Sequence, residues 1–327
     1  MKNFDQLTEI GKKRRVHQAA MEALSYYDLN IVKMRLVDDG VNTIYKLTDA
    51  SLQQYALKLM TEPEYSIEDQ KTELFFVNHL AMNSDITIPE VLKSKSNEQA
   101  VTLKTESLQV IISKWLKGRT FDGMENEERF FLLGQMAAKL HQSTFDLEIP
   151  AAIKPKKWDR VFYFRDETVV YKDEKYRQYF GNDLKLIENM IEYSDEKMKS
   201  YYHMAGLRLV HGDLNPWNVK VNKNELSLLD FGDTIYGLPL HDIAVMLYYY
   251  RFNEKFNYEE VKKLCLKGYR SVIKNAEFKE EDLAFLMNTR VLNFTNFVLA
   301  IGENPLDYIP MFIRRVKDYI KYYEIKL

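Results

Sequence analysis

The chain predicts an α+β fold in two parts, a small N-terminal lobe of antiparallel strands with one helix and a larger, mostly helical C-terminal lobe. Three observations predict it. Residues 31–113 hold short apolar runs separated by turn residues, the pattern of strands. Beyond Gly118, long segments with apolar residues three and four apart take over, the pattern of helices. That helical part is interrupted by two apolar runs, Leu209-Val210 and Leu228-Leu229, each delivering an Asp in a polar turn. The expected division is residues 1–116 and 117–327.

Residues 4–27 read as an amphipathic leading helix with a basic patch, Lys12-Lys13-Arg14-Arg15, that fits a solvated face. Residues 31–36 and 41–47 read as strands joined by the turn Val37-Asp38-Asp39-Gly40, and residues 54–60 as a third strand. Residues 66–81 carry helical periodicity with Ser66 able to cap the start. Strands follow near 100–103 and 108–113, and Gly118 is expected to end the sheet region. Helices are expected over 125–142, 174–204, 240–252, 258–274, 280–301 and 308–323.

With 327 residues, 46% of them hydrophobic, the chain has ample apolar surface for a core. A net charge of -2 gives no general attraction to nucleic acid or to an anionic membrane, so neither is expected as a partner. Cys265 is the only cysteine; it excludes an intramolecular disulfide and a cysteine zinc cluster, and its apolar helical setting predicts a packed thiol. No long apolar signal segment opens the chain and no run reaches membrane-spanning length, so the expected location is cytoplasmic.

The most informative stretch is His211-Gly212-Asp213-Leu214-Asn215-Pro216-Trp217-Asn218, with Asp230-Phe231-Gly232-Asp233 after it. Asn218 follows Asp213 by five residues, and Asp230 follows Asn218 by twelve, at the end of a second apolar strand. Phosphoryl transfer to a hydroxyl needs this set: one carboxylate to orient the acceptor oxygen, and amide and carboxylate oxygens to hold Mg²⁺ on the phosphates. Two buried strands with polar turns are the plainer alternative. Upstream, Lys58 sits on an otherwise apolar strand, which is costly unless its ammonium finds anions. Glu73 on the next helix is the preferred partner and Glu68 its competitor; ATP phosphates would serve as well. A lysine on a half-exposed strand, facing solvent, is the other reading.

With these residues in place, the chain resembles the aminoglycoside phosphotransferase/choline kinase superfamily, which has a protein-kinase-like fold, in its homoserine-kinase-like or stress-kinase-like branch. The resemblance spans nearly the whole chain. Beside the 211–218 motif and Asp230 it includes Asp39-Gly40-Val41-Asn42-Thr43-Ile44-Tyr45, Trp115-Leu116-Lys117-Gly118-Arg119, Ala137-Ala138-Lys139-Leu140-His141 and Gly237-Leu238-Pro239-Leu240-His241-Asp242. It implies ATP and Mg²⁺ as cofactors, with Asp213 taking the acceptor's proton and Asn218 and Asp230 as metal ligands. It further implies that Lys58 neutralises phosphate, that Glu73 positions Lys58, and that the backbone of Gly40, Asn42 and Thr43 covers the phosphates. Ser113 and Trp115 fall in the segment beside adenine. His211 and Asp242 look like scaffold for the catalytic turn, and His141 and His241 like ordinary buried polar residues.

Two departures bear on the acceptor. The nucleotide turn has one glycine where protein kinases carry three, which fits the small-molecule branch. Asn215 stands where protein Ser/Thr kinases usually carry Lys, so it can hydrogen-bond a substrate but not neutralise charge. About a dozen residues separate Asp230 from Asp242, too few for an activation segment and peptide-docking loop. The expected acceptor is therefore the hydroxyl of a small molecule, an amino-alcohol, a sugar-like compound or a relative of these. A stress-type protein Ser/Thr kinase and a silent nucleotide-binding scaffold are the alternatives. Asn215, Asp233 and Arg290 are the candidate substrate contacts, Arg290 within the polar stripe Thr289, Arg290, Asn293, Asn296. The tract Lys154-Pro155-Lys156-Lys157-Trp158 reads as a solvated linker.

Overall fold

The computed structural model describes residues 6–61, 65–163, 172–301 and 305–327, so residues 4 and 5 of the expected leading helix lie outside the described residues. The chain divides into two compact units: Met1–Ser66 with Thr87–Lys117, and Ile67–Ile86 with Gly118–Leu327.

In the first unit, helix α1 (Glu9–Leu24) starts where the Thr8 hydroxyl accepts the Gly11 N–H at 3.2 Å, a side-chain N-cap. Its buried face is Val16, Ala19, Ala20 and Ala23, small enough to lie close against a sheet. The strands are β1 (Ile31–Asp38), β2 (Thr43–Asp49), β3 (Gln54–Leu59), β4 (Ala100–Thr102) and β5 (Gln109–Lys114). They form one antiparallel sheet in the order β1-β2-β3-β5-β4. Alternation sends Tyr45, Leu47, Tyr55, Leu57 and Leu59 into the cluster with α1. By the same alternation Ala56 and Lys58 point to the other face, Lys58 in register between Ile44 and Ile111.

The second unit begins with α2 (Ile67–Asn83). Gly118, at φ +119°, does not end strand pairing as expected; it turns the chain into β6 (Arg119–Thr120), which joins β8 (Val219–Asn222) and β9 (Glu225–Leu228) in a three-stranded sheet. A second pair, β7 (Arg208–Val210) with β10 (Ile235–Gly237), brackets residues 211–234. The remaining helices are α3 (Glu127–Ser143), α4 (Glu174–Phe180), α5 (Leu184–Tyr201), α6 (Pro239–Arg251), α7 (Tyr258–Val272), α8 (Glu280–Ile301) and α9 (Ile309–Tyr322). The single helix expected over 174–204 is two, because Gly181 adopts φ +51° and passes through a short 3₁₀ turn.

Helix α6 is buried almost all round, from Leu240 to Tyr248, which makes it the axis of this unit. Cys265 on α7 is fully buried, as its apolar setting predicted, and burial pushes its thiol well above the ordinary range. Helices α3 and α7 cross through paired glycines. A Cβ on Gly134 would stand 1.9 Å from the Cys265 carbonyl oxygen, and one on Gly268 1.9 Å from that of Phe131. Gly268→Ala is therefore expected to cost about 1–3 kcal/mol by overpacking. Urea unfolding monitored by circular dichroism checks it, as a lowered midpoint at unchanged slope.

Candidate active site

Strand β7 ends at Val210 and hands the chain to a turn held from behind by α6. The Asp242 carboxylate, fully buried, accepts the N–H of His211 on Oδ2 and that of Gly212 on Oδ1, both at 2.8 Å. Its third donor is His141 Nε2 at 2.9 Å; the Tyr269 hydroxyl in turn lies 2.9 Å from His141 Nδ1. Burial alone would raise this carboxyl, but these donors outweigh it and hold it below the usual range. His141, read from the sequence as an ordinary buried histidine, thus positions the scaffold carboxylate. Gly212 has φ +83° and a Cβ there would meet the Asp233 carbonyl oxygen at 1.9 Å, so the turn after β7 and the turn after β9 touch backbone to backbone. His211 adds a side-chain tie, accepting the Asp213 N–H on Nδ1 at 3.3 Å and donating from Nε2 to the Leu229 carbonyl at 3.0 Å.

Asp213 projects from this frame with its side chain 16% exposed. Its Oδ1 accepts Arg290 Nη2 at 2.8 Å; its Oδ2 accepts Asn215 Nδ2 at 2.6 Å and Asn218 Nδ2 at 3.2 Å. Burial raises the Asp213 carboxyl above the usual range, Arg290 pulls against that, and Asp233 adds to it. Asn215, expected to face substrate, is spent on the turn: its Oδ1 caps the N–H groups of Trp217 and Asn218 at 2.9 and 3.0 Å. Arg290 reaches Asp213 from α8, with Tyr249 of α6 lying against its guanidinium. Trp217, 48% exposed, stands edge-on to Tyr249 at 4.9 Å.

Two oxygens suit a hard cation. Asn218 gives its amide N–H group to the Asp213 carbonyl at 2.9 Å and to Oδ2, which leaves its Oδ1 for a ligand. Asp230 is exposed at the end of the β9 segment with φ +61°, a conformation rare outside glycine and concentrated at functional turns. The Leu229 N–H donates to the Asn218 carbonyl at 2.9 Å, pinning the residue before Asp230 to Asn218. One carboxylate and one amide, completed by phosphate oxygens, is a fitting set for Mg²⁺. Among the described residues no cluster of three or more His, Cys, Asp or Glu offers an all-protein cage.

Lys156 corrects the linker reading of its tract. Its side chain is 1% exposed; Nζ donates to the Gly232 carbonyl at 3.2 Å and lies 3.7 Å from Asp233 and 4.0 Å from Asp69 of α2. A buried ammonium thus braces the turn that carries Asp230. Trp158 beside it is buried too. Nothing in the local sequence separates this tract from a surface one, since its partners lie far along the chain.

The nucleotide-side candidates other than Glu73 belong to the first unit. The Gly40 N–H donates to Asp38 Oδ1 at 3.1 Å, and Asn42 Oδ1 accepts the Thr61 N–H at 3.1 Å. The Thr61 hydroxyl bonds the Val41 carbonyl at 3.2 Å and lies 3.4 Å from that of Thr43, so the β1–β2 turn is tied to the end of β3. The Lys58 ammonium lies 5.6 Å from the Tyr65 ring centroid. Ser113 pairs across the sheet with Ala56, and Trp115 donates its N–H to the Gln54 carbonyl under the Lys46 ammonium, which sits 4.4 Å from its ring. Glu73 is buried on α2 and Glu68 half-buried one turn earlier, both in the second unit.

The sequence pattern of the phosphotransferase enzyme family matches residues 34–272. The chain belongs to that family. It is an enzyme of kinase-like fold that transfers phosphoryl groups, and among the described residues no helix is long and apolar enough to cross a membrane. Solved structures similar to it include an amicoumacin kinase in complex with AMP-PNP, Ca²⁺ and Ami, 18% identical with a TM-score of 0.76 over 95% of this chain and 96% of that one. A microcompartment-associated aminopropanol kinase is 18% identical with a TM-score of 0.74 over 95% of this chain and 99% of that one. A spectinomycin phosphotransferase with ADP and spectinomycin is 13% identical with a TM-score of 0.63 over 93% of each chain. No curated protein matches this phosphotransferase by sequence.

Burial holds the His241 imidazole down to about 4 within an aromatic cage that includes Trp158, Tyr201 and Tyr202. The unfolded chain takes up a proton there near 6.5 and the folded one does not, so this residue's share of stability is full above about 6.5 and lost as pH falls toward 4. The loss is on the order of 3 kcal/mol. His241→Gln should flatten the fall in urea midpoint between those pH values; an unchanged slope would show that the imidazole titrates normally.

Proposed function

We propose that the enzyme is an ATP- and Mg²⁺-dependent kinase of a small molecule's hydroxyl group, with Asp213 as the base. The observation that carries this reading is how the Asp213 carboxylate is occupied. A carboxylate offers about four lone-pair sites. The two amides, Asn215 and Asn218, use both on Oδ2, and Arg290 uses one on Oδ1. The remaining site, on Oδ1 of this partly exposed side chain, is where an acceptor hydroxyl donates. As that hydroxyl oxygen bonds to the γ-phosphorus, the bond from that phosphorus to the β–γ bridging oxygen breaks and ADP leaves; the hydroxyl proton passes to Oδ1 and the acceptor is left as a phosphomonoester. The upward push of burial makes Asp213 a stronger base than an exposed Asp, and Arg290 opposes that push.

Asn218 and Asp230 are the residues that would hold magnesium, which would supply charge neutralisation to the phosphates. Lys58, with Glu73 as the residue that positions it, and the turn around Gly40, Asn42 and Thr43 carry the phosphate-binding roles that family resemblance implies. The short span between Asp230 and α6 supports a small acceptor, since β10 takes up three of its residues and leaves no peptide-docking loop. The similar structures named for amicoumacin, aminopropanol and spectinomycin support the same class. Arg290 beside the acceptor's place favours a substrate with an oxygen next to the reacting hydroxyl, which it can bond.

An ATP-consumption screen over amino-alcohols, sugars, cholines, aminoglycosides and generic proteins tests the reading; phosphorylation of proteins alone would overturn it. With the acceptor in hand, Asp213→Asn should lower kcat by about 10²- to 10⁴-fold and leave ATP binding nearly intact. Arg290→Met removes the charge that lowers Asp213, so the acid limb of the pH–rate profile should move to higher pH and the acceptor KM should rise. A profile that stays in place would return Arg290 to a purely structural role. Asp230→Ala should raise the magnesium concentration needed for half-maximal rate, and an unchanged requirement would remove Asp230 from the metal site.

A further inference from the structure

On the face of α8 turned away from Asp213, the helices α6, α8 and α9 enclose a cavity of about 480 Å³. Asn288 lines it and Arg290 does not; two residues apart, they lie about 200° from one another around the helix. The volume suits a small organic ligand.

The lining is unusual in its charges. Arg251 from the end of α6 and Arg315 from α9 are half-buried in the wall, and Arg314 stands at the exposed rim. Among the described residues no carboxylate forms an ion pair with any of the three. The two acids of the cavity, Glu254 and Asp318, are both at the exposed rim, so its depth is cationic. Aromatic faces hold the inner guanidinium groups in place: Arg315 lies 4.0 Å from the Phe252 ring centroid and Arg251 5.6 Å from that of Tyr258. Burial pulls Arg315 below its ordinary value; the Tyr248 hydroxyl opposes this and Arg314 adds to it. Asn288, only 3% exposed, has neither its amide nitrogen nor its oxygen hydrogen-bonded among the described residues.

Half-buried cations without anions and a buried amide without partners both cost stability, and one ligand would offset both. Planar guanidinium forks match phosphate oxygens in pairs, and two or three of them suit a dianion better than a single carboxylate. Apolar Met287 and Val291 line the same cavity beside them and suit a carbon-bearing substituent. We propose that this cavity is a second ligand site, which binds a small phosphomonoester through Arg251, Arg315 and Arg314. Whether that ligand is the enzyme's own product or another metabolite, the recognised chemistry is the same. Because α6 and α8 also carry Tyr249 and Arg290, occupancy bears on the two helices that shape the acceptor side.

Isothermal titration of the full chain tests this, with the nucleotide site first saturated by magnesium and a non-hydrolysable ATP analogue. Glycerol phosphate and, separately, inorganic phosphate are the probes. One saturable site for glycerol phosphate is expected, weakened about tenfold or more by Arg315→Met or Arg251→Met and a few-fold by Arg314→Ala. Arg314→Ala, at the exposed rim, leaves the fold undisturbed and keeps the test valid if the inner variants unfold. Arg290→Met should not change the affinity. Tighter binding of glycerol phosphate than of inorganic phosphate supports use of the apolar wall. No saturable binding of either probe, equal affinity in wild type and Arg314→Ala, or loss of binding in Arg290→Met would each overturn the proposal.

Discussion

The buried carboxylate of Asp242 is the constraint on which the rest of the second unit depends. Without its donors it would be an uncompensated charge in the centre of the unit, at a cost of several kcal/mol. Two of those donors are consecutive backbone N–H groups of the catalytic turn, and the third is His141 from α3. The turn therefore cannot relax without stranding the charge, and α6 cannot shift without releasing the turn. Gly212 carries the constraint onward, since its close approach to Asp233 lets the turn after β9 lie directly on the catalytic one. His211 repeats the connection through Leu229, one residue before Asp230. Preorganisation of this kind is what phosphoryl transfer needs, because the protein contributes mainly position and electrostatics.

The Asp213 carboxylate, the proposed base, sits between opposing influences. Burial and Asp233 raise Asp213; Arg290 lowers it. The cation does not come from within the motif, where Asn215 only shapes the turn, but from α8, far along the chain. Lys156 follows the same pattern, arriving from a separate loop to brace Gly232 and Asp233. Asp213 and Asp233 thus each have a cation drawn from elsewhere in the chain. The polar stripe on α8 is thus not merely a packing face: its Arg290 meets Asp213.

Much of the architecture was legible in the sequence because it is written in local periodicity. Alternation over β2 and β3 and the helical spacing in α3, α6 and α7 place their elements within a few residues of where they stand. What escaped was pairing of short segments. Strand β6 is two residues long and β10 three, too short for any periodic signal, and both exist only because β8 and β7 supply the partner edge. The break at Gly181 was missed because helical spacing continues across it while the backbone does not.

The active-site chemistry divides along the same line. By itself the sequence singled out Asp213, Asn218 and Asp230 as candidates, since they lie close in the chain on a tight turn and the strand after it, and the spacing of the motif is a local property. Tertiary structure alone decided that His141 supports Asp242, that Lys156 is buried and bound, that Asn215 faces inward and that Arg290 meets Asp213. Each of those contacts except that of Asn215 joins residues far apart in sequence, so no window along the chain contains both partners. Asn215 is the instructive exception: its neighbours were visible, but which way its amide points depends on a backbone turn that Asp242, thirty residues away from Gly212, holds in place.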